Sequence, residues 1–160
     1  MEKFGIRLDW NESNALISRL ENDLDKLNLE VHDYLGEYVN LNSDRQLTRL
    51  FYKKFKFPVT KLTKSKKPAT DKEVIKALKD MGYDDPILDM TLKWRTWSTA
   101  LSMIQGYQER ANADGIIYPT INSCHAKTRR QSSENPNMQN ISKKEKLDNP
   151  FAVPARKCFR

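Results

Sequence analysis

From about Asn11 to Leu35 apolar residues recur at spacings of three and four, at Leu16, Leu20, Leu24, Leu27 and Val31, with Ile17 and Leu35 widening the stripe. That period puts them on one face of a helix, and Asn11 or Ser13 offers a side-chain oxygen to cap its start. So short a stripe predicts packing within the chain rather than a coiled-coil seam. His32, set among acids on the same helix, reads as a solvated residue. Gly36 ends this helix. A second helix is expected from Asp44 to about Phe55, capped by Asn42 or Ser43, with Leu47, Leu50 and Phe51 facing inward.

Further on, Thr70-Asp71-Lys72-Glu73 has the pattern of a capping box, with Thr70 accepting from the third helical amide and Glu73 reaching back. Val74, Leu78 and Met81 give that third helix its inner face, and Gly82 ends it. A fourth helix starts near Asp85-Pro86, because proline suits a first turn. Ile87, Leu88, Leu92, Trp94, Leu101 and Ile104 punctuate it, and Gly106 marks its end or a bend. Trp94 and Trp97 read as packing residues, since aromatics dominate ordinary cores. Asp114-Gly115 predicts a tight hairpin turn into one strand over residues 116–121, and residues 1–9 form a short extended lead-in. The class implied is α+β, with long antiparallel helices followed by a small β-hairpin and partial sheet.

Composition narrows the function. The chain has 160 residues, 38% hydrophobic and 31% charged, with a mean hydropathy of −0.77. That is enough for one modest domain with a core. No apolar run approaches the ~20 residues of a membrane span, and Met-Glu-Lys-Phe-Gly-Ile lacks the apolar segment of a secretory leader. Cys124 and Cys158 form no local Cys-x-x-Cys, which argues against a disulfide framework or zinc finger and for a reducing cytoplasm. Cys124 and His125 are adjacent but have no third ligand at metal spacing. Two histidines leave little room for a Ser-His-Asp or Cys-His nucleophile.

The net charge of +7 favours a polyanionic partner, and its distribution says where. Residues 1–43 hold four Lys/Arg against nine Asp/Glu, whereas residues 44–67 hold nine Lys/Arg against one acid, Asp44. Lys53, Lys54, Lys64, Lys66 and Lys67 lie in this basic run. They suit phosphate contact, which gives salt-dependent affinity without reading sequence. Pro58 and Pro68 also allow a solvated, irregular loop there. Near the other end, Thr128 to Ile141 combines Arg129 and Arg130, the serine pair Ser132-Ser133, and carboxamides at Asn137, Gln139 and Asn140. Rigid guanidinium donors and carboxamides suit the DNA minor groove, where every base pair presents an acceptor in nearly the same place. The same composition also fits a surface loop.

The order of that stretch, Thr-x-Arg-x-Ser-Ser-x-x-Pro-Asn-Met-Gln-Asn-Ile, resembles the signature preceding the first catalytic aspartate motif of family A DNA polymerases, the DNA polymerase I group. It departs from the family at Arg129, where glycine is usual, and at Gln131, where an aliphatic residue is usual. The resemblance implies that Arg130, Asn137, Gln139 and Asn140 lie along the minor groove near the primer terminus. Asn40, Asn42, Ser43, Gln46, Leu47, Leu50 and Phe51 match a signature from the start of the family's thumb, where they are largely structural. Thr63-Lys64-Ser65-Lys66 is similar to the family's Thr-Lys-x-Gly segment, with Lys66 where glycine stands. Arg95, Ser98 and Thr99 match a basic residue and Ser-Thr pair on the long thumb helix, with Ala100 in place of its tyrosine, and Arg95 is thereby a phosphate candidate. Ile116 and Tyr118 replace Arg and His of Asp-Gly-Arg-x-His-Thr. Arg156 and Phe159 match the Arg-x-x-Phe that begins a strand.

Taken in order, the matches divide the chain into a lead-in and first helix (1–43), a thumb-like helical part (44–110) and a partial palm (111–160). The expected function is the DNA-gripping portion of a phage-like family A polymerase, completed in trans by a second chain carrying the remaining palm and fingers. The alternative is a stand-alone DNA-binding or regulatory protein derived from a polymerase. No catalytic residue is assigned: in the family the metal-binding aspartates follow the Arg-x-x-Phe segment, so no activity is expected of these residues alone. Mg2+ is expected only in a completed polymerase, and this chain is expected to bind no cofactor. The implied partners are primer–template DNA and the second chain, without a membrane, in the cytoplasm of a bacterial host.

Overall fold

The computed structural model describes residues 5–122, 132–134, 136–138, 141, 153 and 155–159. The chain forms two compact units, Leu24–Arg95 and a second made of Met1–Asp23 with Thr96–Arg160. Two long helices, α1 (Trp10–Leu35) and α4 (Pro86–Arg110), each contribute residues to both units. The class is α+β, mostly helical with small antiparallel sheets.

In the unit Leu24–Arg95, the last part of α1 leads through Gly36 to α2 (Asp44–Thr48). Ser43 caps α2 by accepting from the Gln46 amide at 3.5 Å. Ahead of it, the Gln46 side chain accepts from the Asn40 amide at 2.7 Å and Asn40 accepts from Asn42 at 2.9 Å. Asn40, Asn42, Ser43 and Gln46 thus tie down a helix start. The expected second helix is not uniform. After Thr48 it widens into a π-helical turn, Arg49–Lys54, in which the Phe55 amide donates to Leu50 five residues back. Leu47, Leu50 and Phe51 still face inward and are fully buried. They join Val31, Leu35, Leu41, Phe57, Val74, Ile75, Leu78, Ile87 and Leu88 in one core. Phe57 meets Phe51 edge-on and Phe55 face-on at ring separations of 5.9 and 5.5 Å.

Helix α3 (Lys72–Asp80) starts one residue later than the capping-box reading requires. Asp71 is the cap, accepting from the Val74 amide at 3.0 Å. The Thr70 hydroxyl instead donates to Asp44, and Glu73 binds Lys61. Ile75, not Met81, completes the inner face: Ile75 is buried, while Met81 follows the last helical residue and is 60% exposed. Trp94 packs against the core and donates its indole N–H to Asn28 at 3.0 Å.

In the other unit α1 is capped by Asp9, whose carboxylate accepts from the Asn11 and Glu12 amides at 3.0 and 3.2 Å. Asn11 and Ser13 therefore lie inside the helix, and Ser13 is buried. Helix α4 runs through Gly106 to Arg110. The Asp114-Gly115 turn links α4 to a strand rather than closing a hairpin. Here Gly115 has φ +75°, and an added Cβ would lie 2.9 Å from the Leu8 carbonyl oxygen. The expected single strand is two. β2 (Ile116–Ile117) pairs antiparallel with β1 (Ile6–Arg7), Ile6 opposite Ile117, and β3 (Thr120–Asn122) pairs with β4 (Ser132–Glu134), Ile121 opposite Ser133. Pro119, without an amide hydrogen, lies between them. The 155–158 segment is a 3-10 turn rather than a strand, although Phe159 bridges to Leu8. Leu8, Tyr107, Ile117 and Cys158 form a core beside it.

Candidate nucleic-acid interface

Part of the basic run is held by its own backbone hydrogen bonds. Residues 61–69 fold back on themselves: Thr63 donates to Lys67 at 2.8 Å, Lys66 to Thr63 at 2.9 Å and Ala69 to Lys61 at 3.0 Å, with Leu62 bridging to Pro68. Lys64, Ser65 and Lys66 form the tip, and Lys66 takes φ +56°. This is the position at which the resembling segment has glycine, a residue that would adopt this left-handed backbone at lower cost than lysine.

The base of this hairpin is fixed from four sides. Tyr52 donates its hydroxyl to the Ala69 carbonyl. Lys61 pairs with Asp71 at 2.8 Å and with Glu73. These partners push the Lys61 ammonium well above its ordinary value, while Lys61 pulls the Asp71 carboxyl below its own. Arg95 donates to the Thr70 carbonyl and reaches the Thr70 hydroxyl and Asp44 at 3.3 Å each.

The candidate cations therefore have different surroundings. Lys54 donates to the Leu35 carbonyl at 2.9 Å and to Glu37 at 2.8 Å, satisfying a carbonyl at the end of α1. Its ammonium holds the Glu37 carboxyl below the usual range. Arg95 is engaged at the foot of the hairpin. Lys53, Lys64, Lys66 and Lys67 are exposed and form no ion pair with another described residue. Two grooves bring these elements together. One is lined by Arg45, Thr48, Thr63, Ser65, Lys67 and Arg95. The other includes Arg45, Arg49, Tyr52, Lys53 and Pro68. Arg45 and Arg49 join the candidate cations, although the sequence reading did not single them out. Their four-residue spacing with Lys53, opposite the buried Leu47, Leu50 and Phe51, is the signal that finds them.

In the other unit the described part of the Thr128–Ile141 stretch is tied to the body. Buried Tyr107 donates to the Asn137 carbonyl at 2.9 Å. Ser133 Oγ accepts from the Met138 amide at 2.9 Å and donates to Asn137 Oδ1 at 3.4 Å. Pro136 and Ser133 are buried, whereas Asn137 is exposed. Arg130, Gln139 and Asn140 lie outside the described residues, as do Cys124 and His125. Among the described residues no three His, Cys, Asp or Glu side chains gather as a metal site requires. No helix among them is long and apolar enough to cross a membrane.

The chain belongs to DNA polymerase family A, whose family model matches residues 11–160. It is 32% identical over 143 residues to DNA polymerase I of Caldicellulosiruptor bescii, a match covering 88% of this chain and 16% of that protein. It is 31% identical over 162 residues to the thermostable DNA polymerase I of Thermus filiformis, covering 99% of this chain and 19% of that one. The chain thus spans less than a fifth of these relatives. Among solved structures it is similar to the POL domain of Pol1 from M. smegmatis in complex with DNA primer-template and dNTP, with a TM-score of 0.81 and 27% identity, covering 89% of this chain and 25% of that one.

Proposed function

We propose that these residues grip primer–template DNA for template-directed synthesis, as the thumb and first palm segment of a family A polymerase. One observation carries the reading. Asn137 is exposed on a segment braced by buried Tyr107 and Ser133, in a chain similar to a POL domain solved with primer-template DNA. The proposed division is a lead-in and first helix over 1–43, the thumb over 44–110 and the partial palm over 111–160.

In this reading Arg130, Asn137, Gln139 and Asn140 address minor-groove acceptors at the primer end. Lys53, Lys64, Lys66 and Lys67, with Arg45 and Arg49, meet backbone phosphates. Lys54 and Arg95 serve by holding the helix end and the hairpin that carry these cations. Nucleotidyl transfer needs carboxylates that hold metal ions, and we place these outside the 160 residues. In the finer form of this proposal the remaining palm and fingers belong to a second chain, in a phage-infected bacterial cytoplasm.

Fluorescence anisotropy against a primer–template junction, a blunt duplex and a single strand, over a range of salt, tests the grip. We expect preference for the junction, a steep salt slope, and loss of the preference in Arg130→Ala with little change in slope. Equal affinity for all three DNA forms counts against terminus recognition. Affinity capture tests the second chain: a stoichiometric partner carrying the missing aspartates supports it, and nucleic acid alone favours the stand-alone binding protein.

A further inference from the structure

We infer that Arg45, Arg49 and Lys53 form one straight row, aligned by the π-helical turn, that lies along three successive phosphates of a single DNA strand. The inference rests on the proposed grip and narrows it from a charged surface to one strand. The row follows from the apolar register of the segment. Leu47, Leu50 and Phe51 are buried, and Phe55 packs against the same core, its ring stacked 5.5 Å from that of Phe57. In a regular α-helix Lys54, seven residues after Leu47 and four after Leu50, would share their inward face. The π turn, in which the Phe55 amide donates to Leu50 and not to Phe51, holds one residue more. It turns Phe55 toward the core and leaves Lys54 to reach the Leu35 carbonyl and Glu37.

The same turn straightens the opposite face. From Arg45 to Arg49 the helix is α, closed by the Arg49 amide on the Arg45 carbonyl, and four residues overshoot a full turn by about 40°. From Arg49 to Lys53 it is π, and four residues fall short of a full turn. The two departures offset, so Lys53 returns over Arg45; in a continuous α-helix it would stand about 80° away. All three cations are exposed, and they line one groove with Thr48 and Tyr52. Residues four apart on an α-helix are separated by about 6 Å along its axis. Neighbouring phosphates of one strand are spaced similarly, further apart than their axial rise of about 3.4 Å because they lie off the axis. None of the three cations forms an ion pair with another described residue. The nearby carboxylates are already engaged, Asp44 by Arg95 at 3.3 Å and Glu37 by Lys54 at 2.8 Å. Three charges in single file fit one linear polyanion, whereas two strands would need a forked arrangement.

The test uses the full chain on a primer–template duplex in which single phosphates of either strand are replaced, one at a time, by uncharged methylphosphonates. Wild type should lose up to about fivefold in affinity at each of three adjacent positions on one strand, the size of an exposed ion pair. Arg45→Gln, Arg49→Gln and Lys53→Gln should each abolish the sensitivity at one of those positions, in that order along the strand, and leave the other two. Because the three side chains are exposed, thermal midpoints should stay near that of wild type. Sensitive positions that are not adjacent, that lie on both strands, or that ignore these variants would overturn the row while leaving a phosphate grip. A triple variant that keeps the wild-type salt slope would overturn the row whatever the pattern of sensitive positions. Failure of wild type to bind DNA at all would sink the proposed grip and this inference together.

Discussion

The amide of Lys66 donates to the carbonyl of Thr63 at 2.9 Å, closing the hairpin tip with Lys66 at φ +56°. A β-carbon there costs roughly 1 kcal/mol that glycine avoids, partly offset by the greater freedom of glycine in the unfolded chain. Lys66→Gly should therefore raise stability by up to about 1 kcal/mol, read as a higher midpoint in urea. If the Lys66 ammonium meets a phosphate, the same variant should reduce the salt slope of DNA binding by about one. Greater stability with an unchanged slope would mean that Lys66 meets no phosphate and would leave the strain argument standing.

Arg95 separates bracing from binding. Its guanidinium joins the Thr70 carbonyl, the Thr70 hydroxyl and Asp44, and Thr70 is 5% exposed. Truncation leaves buried polar atoms with fewer partners, which costs about 1–3 kcal/mol. Arg95→Ala should show that loss by chemical denaturation, with the salt slope nearly unchanged under conditions where it stays folded. A slope lower by one, without loss of stability, would make Arg95 a phosphate contact instead.

The Lys61–Asp71 pair predicts an acid limb. Asp71 has its carboxyl lowered from 3.8, first by the Lys61 hydrogen bond. A depressed carboxyl contributes stability fully present above its unfolded value and lost as pH falls through the folded one. The loss attributable to Asp71 therefore begins near pH 4 and deepens below it. It is small, because both side chains are 46% exposed and the solvent screens the pair. Asp71→Asn keeps a capping oxygen, so its deficit relative to wild type at pH 7 should shrink as pH falls toward 3. Thermal midpoints between pH 3 and 7 measure this. A deficit that is constant with pH would assign the effect to capping and packing rather than to charge.

Much of the helical part was legible, because local periodicity alone decides it. Leu20, Leu24, Leu27 and Val31 are buried as a three-and-four stripe should be, and Ser43 caps α2 as its place before Asp44 suggests. The misreadings come from long-range partners that no local window contains. Thr70 and Glu73 have capping-box spacing, but Asp44 and Lys61 draw their side chains away and leave the cap to Asp71. The strand after Gly115 pairs with Ile6–Arg7, more than a hundred residues earlier, rather than with a neighbour. The basic run was legible as charge. Its folding into a hairpin was not, since backbone bonds such as Lys66 to Thr63 depend on a left-handed lysine that composition disfavours.

Arg45 is the cation that lines both grooves, with Lys67 in one and Arg49 and Lys53 in the other. It is exposed on α2, whose inward side chain Leu47 is fully buried. Removing Arg45 and Arg49 therefore touches no core packing, and stability should move by no more than about 0.5 kcal/mol each, as for ordinary surface substitutions. Every phosphate deprived of its cation should flatten the slope of log affinity against log salt by about 0.9. Arg45→Ala with Arg49→Ala should thus flatten it by nearly two on primer–template and blunt duplex alike, because phosphates carry no terminus information. A loss of junction preference instead of slope would mean that these arginines act through the primer end. An unchanged slope would confine the phosphate-binding surface to the hairpin and Lys53.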